Sequence, residues 1–249
     1  MRQDPSQIRR APAWHDADGG TGPGSGGAVA DVGPPPPGWS DSGYHTPRLD
    51  EPAPPFFART TQGVRSLSDY RGQWLMLFAH PADFTPVCTS EFVALQRRAD
   101  AFDQRGCALL GLSVDSVFAH LAWVRSIKES FGVEIQFPII EDVSMAIAAN
   151  YGMIHPGSTS TATIRSVFFI DPEGVLRVML HYPMTVGRSV DELLRVLDAL
   201  QTTHSTDLAT PEGWTPGDRL VEAPPLTVSE ALAREGKGAA AWYYSENDQ

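Results

Sequence analysis

Cys88 and Cys107 are the two cysteines among 249 residues, and a cysteine thiolate is a strong nucleophile that peroxides oxidise readily. Cys88 follows the loop 80–87, which leads out of the apolar run Trp74–Ala79 and into a helical pattern. In an open α/β sheet, that strand-to-helix junction is where ligands gather. The first helical turn also presents free N–H groups and the positive end of the helix dipole. An ordinary thiol with a pKa of about 8.5 is only ~3% ionised at pH 7. Bringing such a thiol to about 6 takes roughly 3.4 kcal/mol at ~1.36 kcal/mol per unit. One helix terminus supplies about 0.3–1 kcal/mol, up to ~2 when partly buried. A reactive cysteine here therefore requires a neighbouring cation as well.

Thr85 stands three residues before Cys88, so on a helical turn its hydroxyl shares a face with the sulfur; a threonine so placed is ordinarily a cap or a core residue. Pro81 follows His80 and restricts the loop entry. Arg165 opens the apolar stretch Ser166–Ile170. An arginine at such a place is either held in a structural ion pair or functional, and the residues alone leave both open. His80 reads equally as a strand-end histidine and as a group that tunes or exchanges a proton. Cys107 opens a second buried strand, where free cysteine commonly serves as a small hydrophobe.

The remaining chain supplies the scaffold. Residues 1–47 hold nine Gly and eight Pro, with a run Pro34–Pro37; that composition reads as a disordered tail. From about Leu49, strands and helices alternate. A helical spacing runs through Phe92, Leu95, Ala99 and Phe102 and closes at Gly106. A strand follows over 108–114, then a helix through Phe118, Leu121, Val124, Ile127 and Phe131 to Gly132, a strand over 137–140 and a short helix over 145–151. Strands over 166–170 and 175–182 flank Asp171-Pro172-Glu173-Gly174, a type I turn signature, so they form a hairpin. Ser189 and Glu192 form a capping box for a final helix. The order predicts an α/β fold, a mixed sheet flanked by helices. After His204 the pattern weakens, leaving a short extension with one helix near 228–235. Trp214, Trp242 and Tyr243 are expected as exposed aromatics of this tail, suited to subunit contacts.

Lys and Arg number 19 against 30 Asp and Glu, a net charge of -11. Such a surface repels nucleic acid. No apolar run reaches the roughly 20 residues a membrane helix needs, and Met1–Ser6 lacks the apolar segment of a signal peptide. The expectation is a cytoplasmic protein with no membrane and no nucleic-acid partner. Two cysteines exclude an all-cysteine metal site; no metal and no cofactor are expected.

The string His80-Pro81-Ala82-Asp83-Phe84-Thr85-Pro86-Val87-Cys88-Thr89-Ser90-Glu91-Phe92 resembles the active-site loop of the peroxiredoxin family, Pro-x-x-x-Thr-x-x-Cys. The likeness runs from about Leu49 to Pro225. It takes in Ser66–Trp74, Leu112–Asp115, Gly152–His155, Arg165–Asp171 and Tyr182-Pro183, and residues 209–218 are similar to the extra domain of the one-cysteine subgroup. The resemblance implies a thioredoxin-like fold divided into a tail at 1–47, a peroxidase domain at 48–204 and a C-terminal extension at 205–249. It implies Cys88 as the peroxidatic cysteine, with Pro81, Thr85 and Arg165 completing its pocket, and His80 near the sulfur. Glu91 would orient the loop, and His155 falls in a family-like segment. The implied substrate is a hydroperoxide, the implied reductant an external thiol such as thioredoxin or glutathione, and the implied assembly a homodimer or larger ring. Cys107 matches no resolving position of the two-cysteine members. Where some one-cysteine relatives carry Gly-x-Ser-x-Gly, this chain reads Arg71-Gly72-Gln73-Trp74-Leu75, so no phospholipase activity is implied. Two other classes are weighed beside the peroxidase: a thioredoxin-fold redox-sensing or chaperone-like binding protein, and a cysteine hydrolase using His80 or His155 as base.

Overall fold

Strand β3, Trp74–Ala79, is buried along its whole length, because a run with no polar residue has to be covered on both faces. Its side chains alternate between two cores. Trp74, Met76 and Phe78 point into one cluster, Leu75, Leu77 and Ala79 into the other. A computed structural model describes residues 47–154, 160–235 and 241–247; His155, Pro34–Pro37 and nearly all of the Gly/Pro-rich stretch lie outside the described residues.

Around β3 a seven-stranded mixed sheet forms in the order β2-β1-β5-β4-β3-β6-β7. Its other members are β1 (Phe57–Thr60), β2 (Gly63–Ser66), β4 (Cys107–Ser113), β5 (Ile139–Glu141), β6 (Arg165–Ile170) and β7 (Leu176–Tyr182). Strands β3, β4 and β5 run parallel, while β6 lies antiparallel to β3. The β6–β7 hairpin closes through the Gly174 amide, which donates to the Asp171 carbonyl at 2.8 Å. Gly174 takes φ +76°, and a Cβ there would run into the Arg71 guanidinium, so the turn requires glycine.

One face of the sheet is covered by α1 (Pro86–Arg97), α3 (Val117–Phe131) and α5 (Val190–Thr203), which contribute Phe92, Leu95, Trp123, Ile127, Leu193 and Leu197 to the first core. The other face packs Phe56, Tyr70, Tyr151 and Met153 with α4 (Ala146–Asn150). The spacing from Phe92 to Phe102 predicts one helix; the structure breaks it at Arg98 (φ −111°, ψ 8°) and restarts it as α2, Ala99–Asp103. On α3 the buried residues are Val117, His120, Trp123 and Ile127, while Phe118, Leu121 and Phe131 face outward.

Beyond α5, a small sheet forms from β8 (Leu208–Ala209), β9 (Leu220–Glu222) and β10 (Glu246–Asn247), beside α6 (Val228–Arg234). Trp214 is not an exposed tail aromatic. It is buried, with its indole N–H donating to the Asp218 carbonyl at 3.1 Å, because the turn over 214–218 folds back onto the ring. Trp242 and Tyr243 are exposed. No helix among the described residues is long and apolar enough to cross a membrane.

Candidate active site

The loop that carries Cys88 is pinned at both ends. His80 continues β3 by donating its amide to the Leu112 carbonyl, and the proline after it favours that extended backbone. Thr85 precedes Pro86 and is extended for the same reason (φ −106°, ψ 147°). It is the N-cap of α1, with Pro86 at the first helical position, where no N–H is needed. The Thr85 hydroxyl does not cap the helix; it donates to the Ala82 carbonyl at 2.9 Å. The first intrahelical bond runs from the Thr89 amide to the Thr85 carbonyl. Cys88 therefore lies in the opening turn, and its side chain has no exposed surface.

Arg165 reaches this sulfur from the first residue of β6, with Nη1 donating to Cys88 Sγ at 3.2 Å. The same nitrogen donates to Glu91 Oε2 at 2.9 Å, one helical turn beyond Cys88. Nε and Nη2 are both spent on the Met184 carbonyl, at 3.0 and 2.8 Å. Glu91 is also gripped by Arg188, which donates its backbone amide, Nε and Nη2 to the two carboxylate oxygens at 2.8–2.9 Å. Arg188 Nη1 then donates to the carbonyls of Ala79 and Ser166, and its guanidinium lies over the Phe78 ring. Side chains of Glu91, Arg165 and Arg188 are at most 4% exposed. Two guanidinium charges thus face one carboxylate in a buried site. One positive charge is left over, and Arg165 Nη1 carries it to within 3.2 Å of Cys88 Sγ.

Burial raises the Glu91 carboxyl, but the hydrogen bonds and charge of Arg188, and then the charge of Arg165, outweigh it and hold the group below its ordinary 4.5. A depressed folded value contributes stability above about pH 4.5 that is lost as pH falls through the folded value. Replacement of Arg188 by methionine is expected to cost about 3–5 kcal/mol, because it strips Glu91 of its bidentate partner. It should also move acid unfolding to higher pH, as read by circular dichroism.

Behind the loop is a second buried network. His80 Nε2 lies 2.8 Å from Asp83 Oδ1, and His120 Nδ1 lies 2.7 Å from Asp83 Oδ2. His120 Nε2 is 3.1 Å from the Ile140 carbonyl. The Asp83 amide donates to Asp115, and the Thr163 hydroxyl donates to the His80 carbonyl. Burial pushes the His80 imidazole down, against the opposing pull of Asp83. Burial raises the Asp83 carboxyl, but the hydrogen bonds from His120 and His80 bring it below its ordinary value. His80, Asp83 and His120 could in principle hold a metal ion, as could Asp171, Glu173 and His204. In the first group the facing atoms already satisfy one another, and in the second Asp171 is engaged by Arg177 and the Val175 amide.

The structure thus places Arg165 on the sulfur and Pro81 buried in the loop. Thr85 is at the helix mouth, and His80 lies behind the loop. Arg188, Asp83 and His120 are contacts that reading the sequence missed. His120 alone left a signal, a histidine spaced three residues from Val117 and Trp123 on the buried face of α3. Cys107 is paired with Trp74 at the start of β3, whereas the Cys88 loop leaves from Ala79, paired with Leu112. Five strand residues separate these ends, about 17 Å at ~3.3 Å each, far beyond the roughly 7 Å a disulfide spans between Cα atoms. Both thiols are free, and burial raises that of Cys107 to about 12.

Comparison with known proteins meets this geometry. The AhpC/TSA family matches residues 49–179, and the C-terminal domain of 1-Cys peroxiredoxin matches residues 199–238. A peroxiredoxin of Aquifex aeolicus is 50% identical over 210 residues, 79% of this chain and 95% of that protein. Peroxiredoxin 2 of Thermoplasma acidophilum is 48% identical over 196 residues, 78% of this chain and 98% of its own. Among solved structures, a yeast mitochondrial 1-Cys peroxiredoxin superposes with a TM-score of 0.72 at 39% identity, covering 81% of this chain and 99% of that one. A cysteine-to-serine mutant of the peroxiredoxin 6 of Arenicola marina gives 0.68 at 39% identity, over 75% and 88%. With its thioredoxin-like mixed sheet and C-terminal extension, the chain belongs to the AhpC/TSA family, in its one-cysteine peroxiredoxin subgroup, and is a thiol-dependent peroxidase.

Proposed function

We propose that Cys88 is the peroxidatic cysteine and that the protein reduces hydrogen peroxide and organic hydroperoxides without a second cysteine of its own. The observation that carries this reading is the surplus positive charge around Sγ, set by Arg165, Arg188 and Glu91. The thiolate attacks the terminal peroxide oxygen, the O–O bond breaks, and the departing oxygen leaves as water or alcohol after taking a proton. Cys88 is left as a sulfenic acid. Arg165 holds the negative charge that builds on the oxygens, while Thr85 and Pro81 shape the entrance that admits them.

Resetting then falls to an external thiol. It attacks the sulfenic sulfur to form a mixed disulfide and water, and a second thiol releases Cys88. The yeast relative is described as resolved through glutathione and thioredoxin systems, and the same thiol class suits this chain. The protein is read as cytoplasmic, where such thiols keep cysteines reduced, and as a homodimer. Support for a second copy comes from the C-terminal extension, where Leu226 is 91% exposed and α6 buries none of its residues. A cysteine hydrolase would need an open histidine base beside the sulfur. Among the described residues His80 makes no hydrogen bond to Cys88, its Nε2 facing Asp83 and its buried Nδ1 having no partner, and His155 lies outside the described residues.

Intact-mass measurement after one equivalent of peroxide tests the reading. One added oxygen is expected, trapped by a sulfenic-acid reagent on Cys88. Loss of two hydrogens, an internal disulfide, would refute the one-cysteine cycle. Cys107→Ser is expected to keep full turnover with an external thiol.

A further inference from the structure

The geometry points to Thr89 and Trp123 as positioning residues that hold the opening turn of α1 shut over Cys88, through a hydroxyl relay from α3 to the helix cap. This rests on the reading of Cys88 as the reacting sulfur, because that sulfur has to be uncovered for peroxide and again for thiol. Its side chain has no exposed surface, so both reagents reach it only through a local opening. The ties that resist this opening are few. Among the described residues, the side chains of 85–89 make two hydrogen bonds to other elements. One runs from Arg165 to Cys88 Sγ, at 3.2 Å. The other runs from the Trp123 indole N–H to Thr89 Oγ1, at 3.3 Å. The cycle alters the first, since the sulfur gains and loses an oxygen. It leaves the second in place.

A threonine inside a helix ordinarily returns its hydroxyl to the carbonyl four residues back. Thr89 does so: Oγ1 donates to the Thr85 carbonyl at 2.8 Å, beside the Thr89 amide at 2.9 Å. That bond is local and by itself holds nothing against the rest of the domain. It does spend the hydroxyl's single proton, so toward Trp123 the oxygen can only accept. An indole N–H can only donate, and the two groups match. The result is a chain of two bonds from Trp123 through Thr89 to the N-cap carbonyl of α1, each polarising the other. Its far end is fixed, because Trp123 is buried on α3 in the same core cluster as Cys88, Phe92 and Ile127. Without the hydroxyl, the closed turn would keep a buried indole N–H unpaired, whereas opening lets water satisfy it. The balance then moves toward the open turn.

The test is alkylation of the reduced full chain with iodoacetamide, read at each cysteine by mass spectrometry with no peroxide present. Labelling of Cys88 then follows the population of the open turn. Cys107, buried in β4, reports unfolding of the domain as a whole. Thr89→Val keeps the shape of the side chain and removes the hydroxyl. It is expected to raise Cys88 labelling about five-fold, with the pH profile of the labelling and the Cys107 rate unchanged. Thr89→Ser restores the hydroxyl and should bring Cys88 back near the wild-type rate. Trp123→Phe removes the donor instead, is expected to act in the same direction, and decides alone should Thr89→Val fail to fold. Cys88 labelled at the wild-type rate in either variant, an equal rise at Cys107, a displaced pH profile or no rescue by serine would overturn the assignment. Failure of the underlying reading is seen separately, as wild-type Cys88 that gains no oxygen when peroxide is added.

Discussion

Replacement of Cys88 by serine is expected to abolish hydroperoxide turnover, by on the order of 10³-fold or more, while the circular dichroism spectrum stays that of the wild type. A serine hydroxyl fills nearly the same space in the first turn of α1, and Arg165 can still donate to its oxygen. It cannot serve as the anion that balances the two guanidinium groups, and a serine oxygen has no sulfenic acid to form. The loss is therefore chemical and should appear in the rate of peroxide consumption with thiol in excess. Turnover retained in Cys88→Ser would remove this sulfur from the mechanism and leave the charge arrangement around it unexplained.

The second large effect is expected at Arg165. Its guanidinium spans three partners at once: Cys88 Sγ, Glu91 and the Met184 carbonyl. Arg165→Met removes a preorganised donor from the developing oxygen charge, a loss typically worth about 10²–10³ in rate. Glu91 remains held by Arg188, so folding should suffer less than in the Arg188 variant. Arg165→Lys restores the charge, but a single ammonium cannot reproduce a planar fork with its Nε and Nη2 on one carbonyl. Its rate should fall between those of the wild type and Arg165→Met. The measurement is the second-order rate constant for peroxide at neutral pH, and a wild-type value in Arg165→Met would contradict the role given to this side chain.

Local patterns carried much of this in the sequence, and long-range pairings did not. The apolar run at Trp74–Ala79, the Asp171–Gly174 turn and the Ser189 cap each signal their structure from neighbouring residues, and each appears where those residues place it. The break at Arg98 leaves no such trace, since Phe92, Leu95, Ala99 and Phe102 keep helical spacing across it. Strands β1 and β2, four residues each, are too short for a periodic signal. At the site, Cys88, Thr85 and Pro81 sit on one contiguous string and were legible together. Arg165 was visible only as a charge at the head of an apolar strand. Arg188 was not visible at all: it lies in the connection before α5, where an arginine ordinarily faces water, and 97 residues separate it from the Glu91 it grips. The outward turn of Phe118, Leu121 and Phe131 on α3 has a related cause. His120, tied to Asp83, takes a place on the inner face that apolar spacing alone would not assign to it.

The complete enclosure of the Cys88 side chain has a consequence for how the enzyme fails. With its side chain closed even to water, Cys88 meets a peroxide or a thiol only when the site opens, and a protein thiol or a tripeptide needs a wider opening than a peroxide does. Reduction is therefore expected to wait for a rarer opening than a further oxidant molecule needs. At high peroxide the sulfenic state then faces a race between a small reagent and a bulky one. The small reagent drives the sulfur to the sulfinic level, from which ordinary thiols do not bring it back. Inactivation in proportion to oxidant dose, slowed by raising the concentration of reductant, is the cost of so closed a pocket.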